Sequence, residues 1–340
     1  MEKLRNAFKG ESNLKIIKRQ EFDIYYSCTH KWPLLTVENI NSKTGKSEES
    51  FDKNDPDFIN PWKVDTTIPK ECRLSIKNFQ DYMEYGGSNG HNVPAAHHKT
   101  NKKIYLSTYL LSNICPQEIV FNSGIWVLLE IWCKNLKNNK NLKNITVYTG
   151  SIPAKKNSNF GTSQINIPTH MFKIVTATHI NNPKSLYILC FLMKNENPNQ
   201  KIHKLYKHLV SLKELSNLSK INFFQIFKEY SEYNEFMDIK SMKQIVRVDL
   251  HISENRWIIR QMHASYWYGK IIYSTSLKEL EKNWEDAQMR GFGDVYHETY
   301  YNLCKKRIKR ENPKSKSDPD NFKTKKTILV RKKKSLKKNC

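Results

Sequence analysis

Nowhere does this chain hold an apolar run long enough to cross a bilayer. The longest, LYILCFLM at 186–193, falls far short of the roughly 20 residues a spanning helix needs, and reads as a buried strand. Cysteine signals are equally thin. Cys28, Cys72, Cys115, Cys133, Cys190, Cys304 and Cys340 are odd in number, scattered, and form no Cys-x-x-Cys pair. That argues against a disulfide framework and a zinc site, and points to a reducing compartment rather than secretion. The opening MEKLRNAFKGES lacks the apolar core of a signal peptide, and Glu2 and Glu11 make it a poor transit peptide. No internal repeat is visible. The apolar fraction, 38%, is low for an enzyme, yet aromatics at 11% exclude a wholly disordered chain.

Acidic residues are scarce, 33 against 57 Lys and Arg, and the resulting +24 is unevenly spread. Residues 305–340 carry sixteen Lys or Arg against Glu311, Asp318 and Asp320, a local charge of +13. A polyanionic partner is one reading, because each neutralised phosphate releases counterions; a solvated tail is the other. On the first reading Arg331, Lys332, Lys333 and Lys334 are tail contacts to nucleic acid. The run RKKKSLKK (331–338) also suits nuclear import.

Four regions follow from composition: a basic lead-in at 1–20, a main domain at 21–235, an appended small α/β module at 236–304, and a basic tail at 305–340. FDIYYSCTHKWPLLTVENI (22–40) alternates around a Lys-Trp-Pro turn and predicts a strand hairpin, followed by a charged loop over 41–60. IYLSTYLLSNICPQ (104–117) predicts a buried strand running into a loop stopped by Pro116. Residues 121–138 have a helical period, 144–150, 170–178 and 185–193 read as core strands, and 211–227 has helical spacing. In the appended module, QIVRVDLHI (244–252) reads as a strand. SYWYGK (265–270) is either a base-stacking surface or the module's own core.

The chemistry concentrates in two stretches. GSNGHNVPAAHHKT (87–100) sets His91 directly behind a glycine. Asn122, Trp126 and Glu130 recur every four residues, which predicts one shared helix face. An asparagine in a first helical turn can be the single protein ligand of a hard divalent cation, since magnesium keeps most of its waters. Glu130 is placed to hold one of those waters. A histidine at the end of a preceding strand completes a one-metal phosphodiesterase: His91 takes a proton from the attacking water, and the metal stabilises the pentacovalent phosphate. An ordinary histidine and a capping asparagine are the plainer alternatives.

With these blocks in this order, the sequence resembles the DNA/RNA non-specific endonucleases of the ββα-metal type, which include mitochondrial endonuclease G. FDIYYSCTHKWPLLTVENI, GHNVPAAHHK, YLLSNICPQEIVFNSGIWVLLE, VYTGSI, INIPTHMFKIV and LKELSNLSKINFF carry the resemblance over roughly residues 20–230. It implies an α+β fold with a central antiparallel sheet and a strand–strand–helix finger on one face, often as a homodimer. It implies His91 as general base, Asn122 as metal ligand, Asn113 near the phosphate, Glu130 on a metal-bound water, and Lys134 where some members place an arginine. The cofactor implied is Mg²⁺ or Mn²⁺. Departures are equally specific. The family's Asp-Arg-Gly-His reads Ser88-Asn89-Gly90-His91 here, no arginine stands near FINPWKVD (58–65), where Asn60 is the nearest counterpart, and His97 stands where many members have Asn or Asp. Lys99, Lys102, Lys103 and Lys134 are the cations nearby, with Lys99 and Lys134 the candidate phosphate contacts.

Two functional expectations result. In the first, catalysis is compromised and the protein is a nucleic-acid-binding subunit, homo- or heterodimeric, of a mitochondrial ribonucleoprotein such as the mitoribosome. In the second, it is an active Mg²⁺-dependent, sugar-non-specific phosphodiesterase. Nucleic acid, RNA or DNA, is the partner in both. The resemblance implies a mitochondrial location.

Overall fold

The computed structural model describes residues 6–8, 11–47, 55–154, 159–160, 165–198, 205–227 and 256–312. A seven-stranded sheet forms its centre, in the order β1 (Leu14–Lys18), β2 (Phe22–Ser27), β3 (Trp32–Ile40), β6 (Leu142–Ile152), β9 (His170–His179), β10 (Asn182–Lys194) and β11 (Leu209–Val210). Every pairing in it is antiparallel. β9 is buried at all but its end residues, as a central strand covered on both faces must be. Helices supply the cover. On one side Trp132 of α4 (Val127–Asn135) packs edge-on against Phe191, with ring centroids 5.4 Å apart. On the other, Phe223 meets Phe172 at 5.6 Å.

The fold is therefore the expected α+β class. The hairpin at 22–40, the core strands and the helix within 121–138 all form, and 212–227 forms two short helices, α5 (Leu212–Ser219) and α6 (Phe223–Ile226), parted by left-handed Lys220. The lead-in is less idle than its polarity suggests. Ala7 and Phe8 are buried, and β1 edges the sheet. A minor ribbon joins β7 (Asn159–Phe160) to β8 (Ile165–Asn166).

Three expectations need correction. Residues 104–117 do not begin as a strand: Asn101 accepts from the Ile104 amide at 3.0 Å and starts helix α3 (Lys102–Ser107), and such a cap outweighs the β propensity of Ile-Tyr-Leu. Nor does a loop run up to Pro116. It lies inside β5 (Ile114–Glu118), opposite Asn89 in a two-stranded ribbon, where an outward-facing position needs no amide proton. Finally, Cys28 and Cys72 form a disulfide, linking the β2–β3 turn to the 3₁₀ turn Lys70–Cys72, whose carbonyl accepts from Tyr26 Oη at 2.8 Å. Only folding brings cysteines 44 residues apart together, so spacing could not reveal them. Closing a loop of that length contributes about 4 kcal/mol in the chain-entropy picture. A Cys28→Ser, Cys72→Ser variant is expected to unfold at a visibly lower urea concentration than the parent; equal midpoints would refute the contribution.

The finger of the fold is β4 (Gly87–His91) paired with β5, from which the chain turns into α4. The remaining short helices, α1 (Pro56–Ile59) and α2 (Ile76–Met83), lie in the approach to it. Behind it sit α7 (Arg256–Ile272), α8 (Leu277–Met289) and α9 (Val295–Glu311). Ile271, Ile272, Leu280, Tyr300, Cys304 and Ile308 enclose Ile119 and Val120 at the finger's base. Tyr300 Oη donates to the Gly87 carbonyl at 3.0 Å, Tyr273 Oη to Glu118 Oε1 at 2.6 Å, and Ser265 Oγ to the Val120 carbonyl at 2.9 Å. Within 236–304 the described residues are thus helical, while 244–252 lies outside them. SYWYGK is split: Trp267 and Tyr268 are core and Tyr266 is exposed. Residues 305–311, expected as tail, finish α9; Arg307 donates to the carbonyls of Ile272, Ser274 and Glu84 at 2.8–3.2 Å. Arg331, Lys332, Lys333 and Lys334 lie outside the described residues.

Candidate active site

His91 ends β4. Its ring sits between Trp62, 5.2 Å away, and Tyr109, which meets it edge-on at 4.8 Å. Burial among these rings lowers its pKa to about 4, since a charged imidazolium is costly where water is excluded. Nε2 is buried with no hydrogen-bond partner. The ring is thus neutral, and among the described residues neither of its nitrogens is committed to a hydrogen bond.

Asn122 enters from the other strand. Glu118 accepts from the Phe121 amide at 2.6 Å and so caps the helical turn Ile119–Phe121. The chain then widens into a π turn over Asn122–Trp126, irregular at Gly124 (φ −104°, ψ −107°), before α4 begins. This wide turn absorbs a residue, so the four-residue spacing does not set Asn122, Trp126 and Glu130 in one row: Trp126 is fully buried, while Asn122 and Glu130 are half-buried. Asn122 Nδ2 donates to Ser88 Oγ at 3.0 Å, and Ser88 Oγ donates to the Gln117 carbonyl at 3.1 Å. The chain of bonds fixes the amide's orientation. It leaves Asn122 Oδ1 without a donor among the described residues.

Other polar atoms here are buried and unpaired: Asn89 Oδ1, Asn92 Oδ1 and both amide atoms of Gln117. Folded proteins pair nearly all such atoms, and a concentration of exceptions marks a place for water, ion or ligand. Among the described residues no cluster of three or more His, Cys, Asp or Glu could hold a metal. The donor set is instead one neutral amide oxygen beside hydroxyl and amide groups. That set fits a magnesium ion that keeps most of its waters and does not fit zinc.

The remaining site candidates are placed as follows. Asn113 is fully buried; its Nδ2 donates to the carbonyls of Val93 and Thr108 at 2.9 and 2.8 Å, and its Oδ1 accepts from the Val93 amide at 3.0 Å. Both amide atoms are spent on backbone, holding the segment that follows His91. Glu130 lies over a buried charge group the sequence did not disclose. Burial pushes its pKa up to about 7, against the pull of Lys173 and His97. Lys173 is fully buried, donates to Thr149 Oγ1 at 2.7 Å, and stands 4.8 Å over the Trp126 ring. Glu38 Oε2 accepts from His97 Nδ1 at 3.0 Å and His98 Nε2 at 2.9 Å, which holds Glu38 well below the usual carboxylate range although burial opposes this. His97 Nε2 meets the Glu130 carbonyl at 3.0 Å.

Lys99 and Lys134 are half-buried near this group; burial, then the charge of Lys99, lowers the Lys134 pKa, and Glu130 partly restores it. Lys102 is committed to Asp55 and Asp57, and Lys103 is exposed. The sequence reading missed Trp62, Tyr109, Gln117, Glu38, His98 and Lys173. One signal was available, since a lysine inside the apolar run HMFKIVTAT has to find polar partners.

A strand–strand–helix finger on an antiparallel sheet, tipped by an unpaired histidine beside a helix-start asparagine, is the architecture of the ββα-metal nucleases. The chain belongs to the DNA/RNA non-specific endonuclease family, whose model matches residues 2–229. It is 27% identical over 198 residues to "Nuclease EXOG, mitochondrial" of Danio rerio, covering 55% of this chain and 54% of that one. It is 28% identical over 194 residues to the "Mitochondrial nuclease" of Saccharomyces cerevisiae, covering 52% and 56%. The chain thus spans about half the length of the curated relatives it matches. Its fold resembles the crystal structure of the EndoG/EndoGI complex, with a TM-score of 0.52 and 20% identity over 66% of this chain and 91% of that one.

Proposed function

We propose that the protein is an Mg²⁺-dependent phosphodiesterase that cleaves DNA and RNA without regard to the sugar, and that it acts in mitochondria, as the names of its relatives suggest. One observation carries the reading: His91 is neutral, its Nε2 is unpaired, and the amide of Asn122 is turned by Ser88 so that Oδ1 is available. His91 accepts the proton of the attacking water. Asn122 would hold the ion through Oδ1, and Ser88 and Gln117 fix the Asn122 amide. A bound magnesium would supply Lewis-acid stabilisation of the developing phosphate charge. Asn113 keeps the strand end bearing His91 in place through Val93.

A ribonucleoprotein role would rest on the Ser88-Asn89 departure, the appended module and the basic tail, of which residues 313–340 lie outside the described residues, and the relatives, which are nucleases by name, do not favour it. The test is cleavage of plasmid and single-stranded RNA with Mg²⁺ or Mn²⁺, beside EDTA and an Asn122→Ala variant. Metal-dependent cleavage of both polymers, reduced on the order of 100-fold or more by the substitution, is expected. Binding to both without cleavage of either would support the compromised site instead.

A further inference from the structure

The turn that launches Asn122 is held from its far side by the C-terminal helices. Glu118 caps Ile119–Phe121 through Oε2, which accepts from the Phe121 amide at 2.6 Å, and Asn122 follows directly. The Glu118 amide donates to Asn195 Oδ1 at 2.8 Å, which ties this end of β5 to the segment after β10. That leaves Oε1, and it accepts from Tyr273 Oη at 2.6 Å. Burial raises the Glu118 pKa, and the bonds from Tyr273 and from the amides of Phe121 and Val120 oppose it. A carboxylate so enclosed needs a donor for each oxygen.

Tyr273 is one of a row. Ser265, Gly269 and Tyr273 stand four residues apart, so they share one face of α7 and of the turn that ends it. The Tyr273 amide donates to the Gly269 carbonyl at 3.1 Å, which carries the helical pattern just past Ile272. Each member of the row meets the same short stretch. Ser265 Oγ donates to the Val120 carbonyl at 2.9 Å. At Gly269 the helix comes so near that a Cβ would lie 3.1 Å from Val120 Cγ2, an approach that glycine makes without displacing its neighbour. Tyr273 closes the row on Glu118. All three residues lie beyond 2–229, the span that the family model matches.

We propose that Ser265, Gly269 and Tyr273 are positioning residues: through Val120 and Glu118 they hold the turn that aims the Asn122 amide, and so set how readily the site takes its divalent cation. Ser88 orients that amide at its tip, and α7 fixes the backbone from which it grows. The inference rests on the phosphodiesterase reading in taking Asn122 as the ligand of the ion. Groups that hold a ligand without touching the metal commonly weigh roughly 10- to 100-fold in metal affinity or activity.

The test pairs two measurements on a Ser265→Ala, Tyr273→Phe variant, which removes two hydroxyls and no apolar surface. The Mg²⁺ concentration for half-maximal cleavage should rise about tenfold or more, while the rate at saturating Mg²⁺ and the KM for nucleic acid change far less. In the metal-free protein, hydrogen exchange at the amides of residues 119–122 should quicken about fivefold or more. A Trp284→Leu variant, which disturbs the stacking of α8 on α9 at Tyr301 and removes neither hydroxyl, should alter neither measurement. In a Glu118→Ala background, Tyr273→Phe should add nothing, as expected of two groups acting as one unit. A lowered rate at saturating Mg²⁺ with an unchanged Mg²⁺ requirement, or an equal shift in Trp284→Leu, would overturn the proposal. Unchanged exchange would overturn it as well, and that measurement needs no catalysis. A parent that cleaves nothing would sink the phosphodiesterase reading alone, while the exchange still decides whether α7 holds the turn.

Discussion

A His91→Ala variant is expected to lose cleavage on the order of 100- to 10,000-fold, the span a general base contributes, with nucleic-acid affinity largely retained. The separation arises because His91 Nε2 touches no other polar group, so its removal breaks no hydrogen bond of the fold. The parent should also carry an unusual pH profile. Burial lowers the His91 pKa to about 4. The neutral, proton-accepting ring then prevails above pH 4, and activity is lost only as pH falls through that value. An ordinary exposed histidine would lose activity near 6.5. The measurement is kcat/KM against pH at fixed metal. An acid limb near 6.5 would show that burial does not depress His91, and a limb unchanged in His91→Ala would show that another group is the base.

The second large effect is a gain. Ser88→Asp with Asn89→Arg, which restores the family's residues, should raise turnover on the order of 100- to 1000-fold, the weight of a preorganised donor to the transition-state phosphate. Ser88 already accepts from Asn122 Nδ2, and a carboxylate there keeps that bond and adds negative charge near the ion, at the loss of the donation to the Gln117 carbonyl. Asn89 Oδ1 is buried and unpaired, so replacing it breaks no hydrogen bond. A guanidinium brings a fixed charge and paired donors that an amide lacks. No rise in turnover, in a variant that melts like the parent, would mean that other groups already meet the phosphate.

How much of this was legible beforehand divides by distance along the chain. Alternation at 22–40 placed the β2–β3 hairpin and periodicity at 121–138 the helix after Asn122, whereas His91 and Asn122 were joined into one site by the family resemblance, and β5 of the finger was expected as a loop. What escaped was set by contacts between remote segments. Trp62 and Tyr109 reach His91 from either side of it in sequence; the Glu38, His97 and Lys173 group draws on three separate elements; Cys28 finds Cys72 only through the fold. The wide turn at Asn122–Trp126 escaped for another reason: periodicity assumes an unbroken helix, and one extra residue shifts every face beyond it.

The three C-terminal helices add a matter of timing. Tyr273 and Tyr300 hold Glu118 and Gly87, the two strand positions at the base of the finger, and α7 buries Ile119 and Val120 beside them. A ribosome makes the chain from the amino end, and domains tend to fold as they emerge. His91, Asn122 and Glu130 all leave the exit tunnel long before Tyr300. Until α7 and Tyr273 are made the finger's base lacks both ties, and until α9 is made it still lacks the Tyr300 tie and part of its apolar cover. A nascent chain would then carry every reactive group while lacking the frame that aligns them, and the site would be completed only once α9 has emerged.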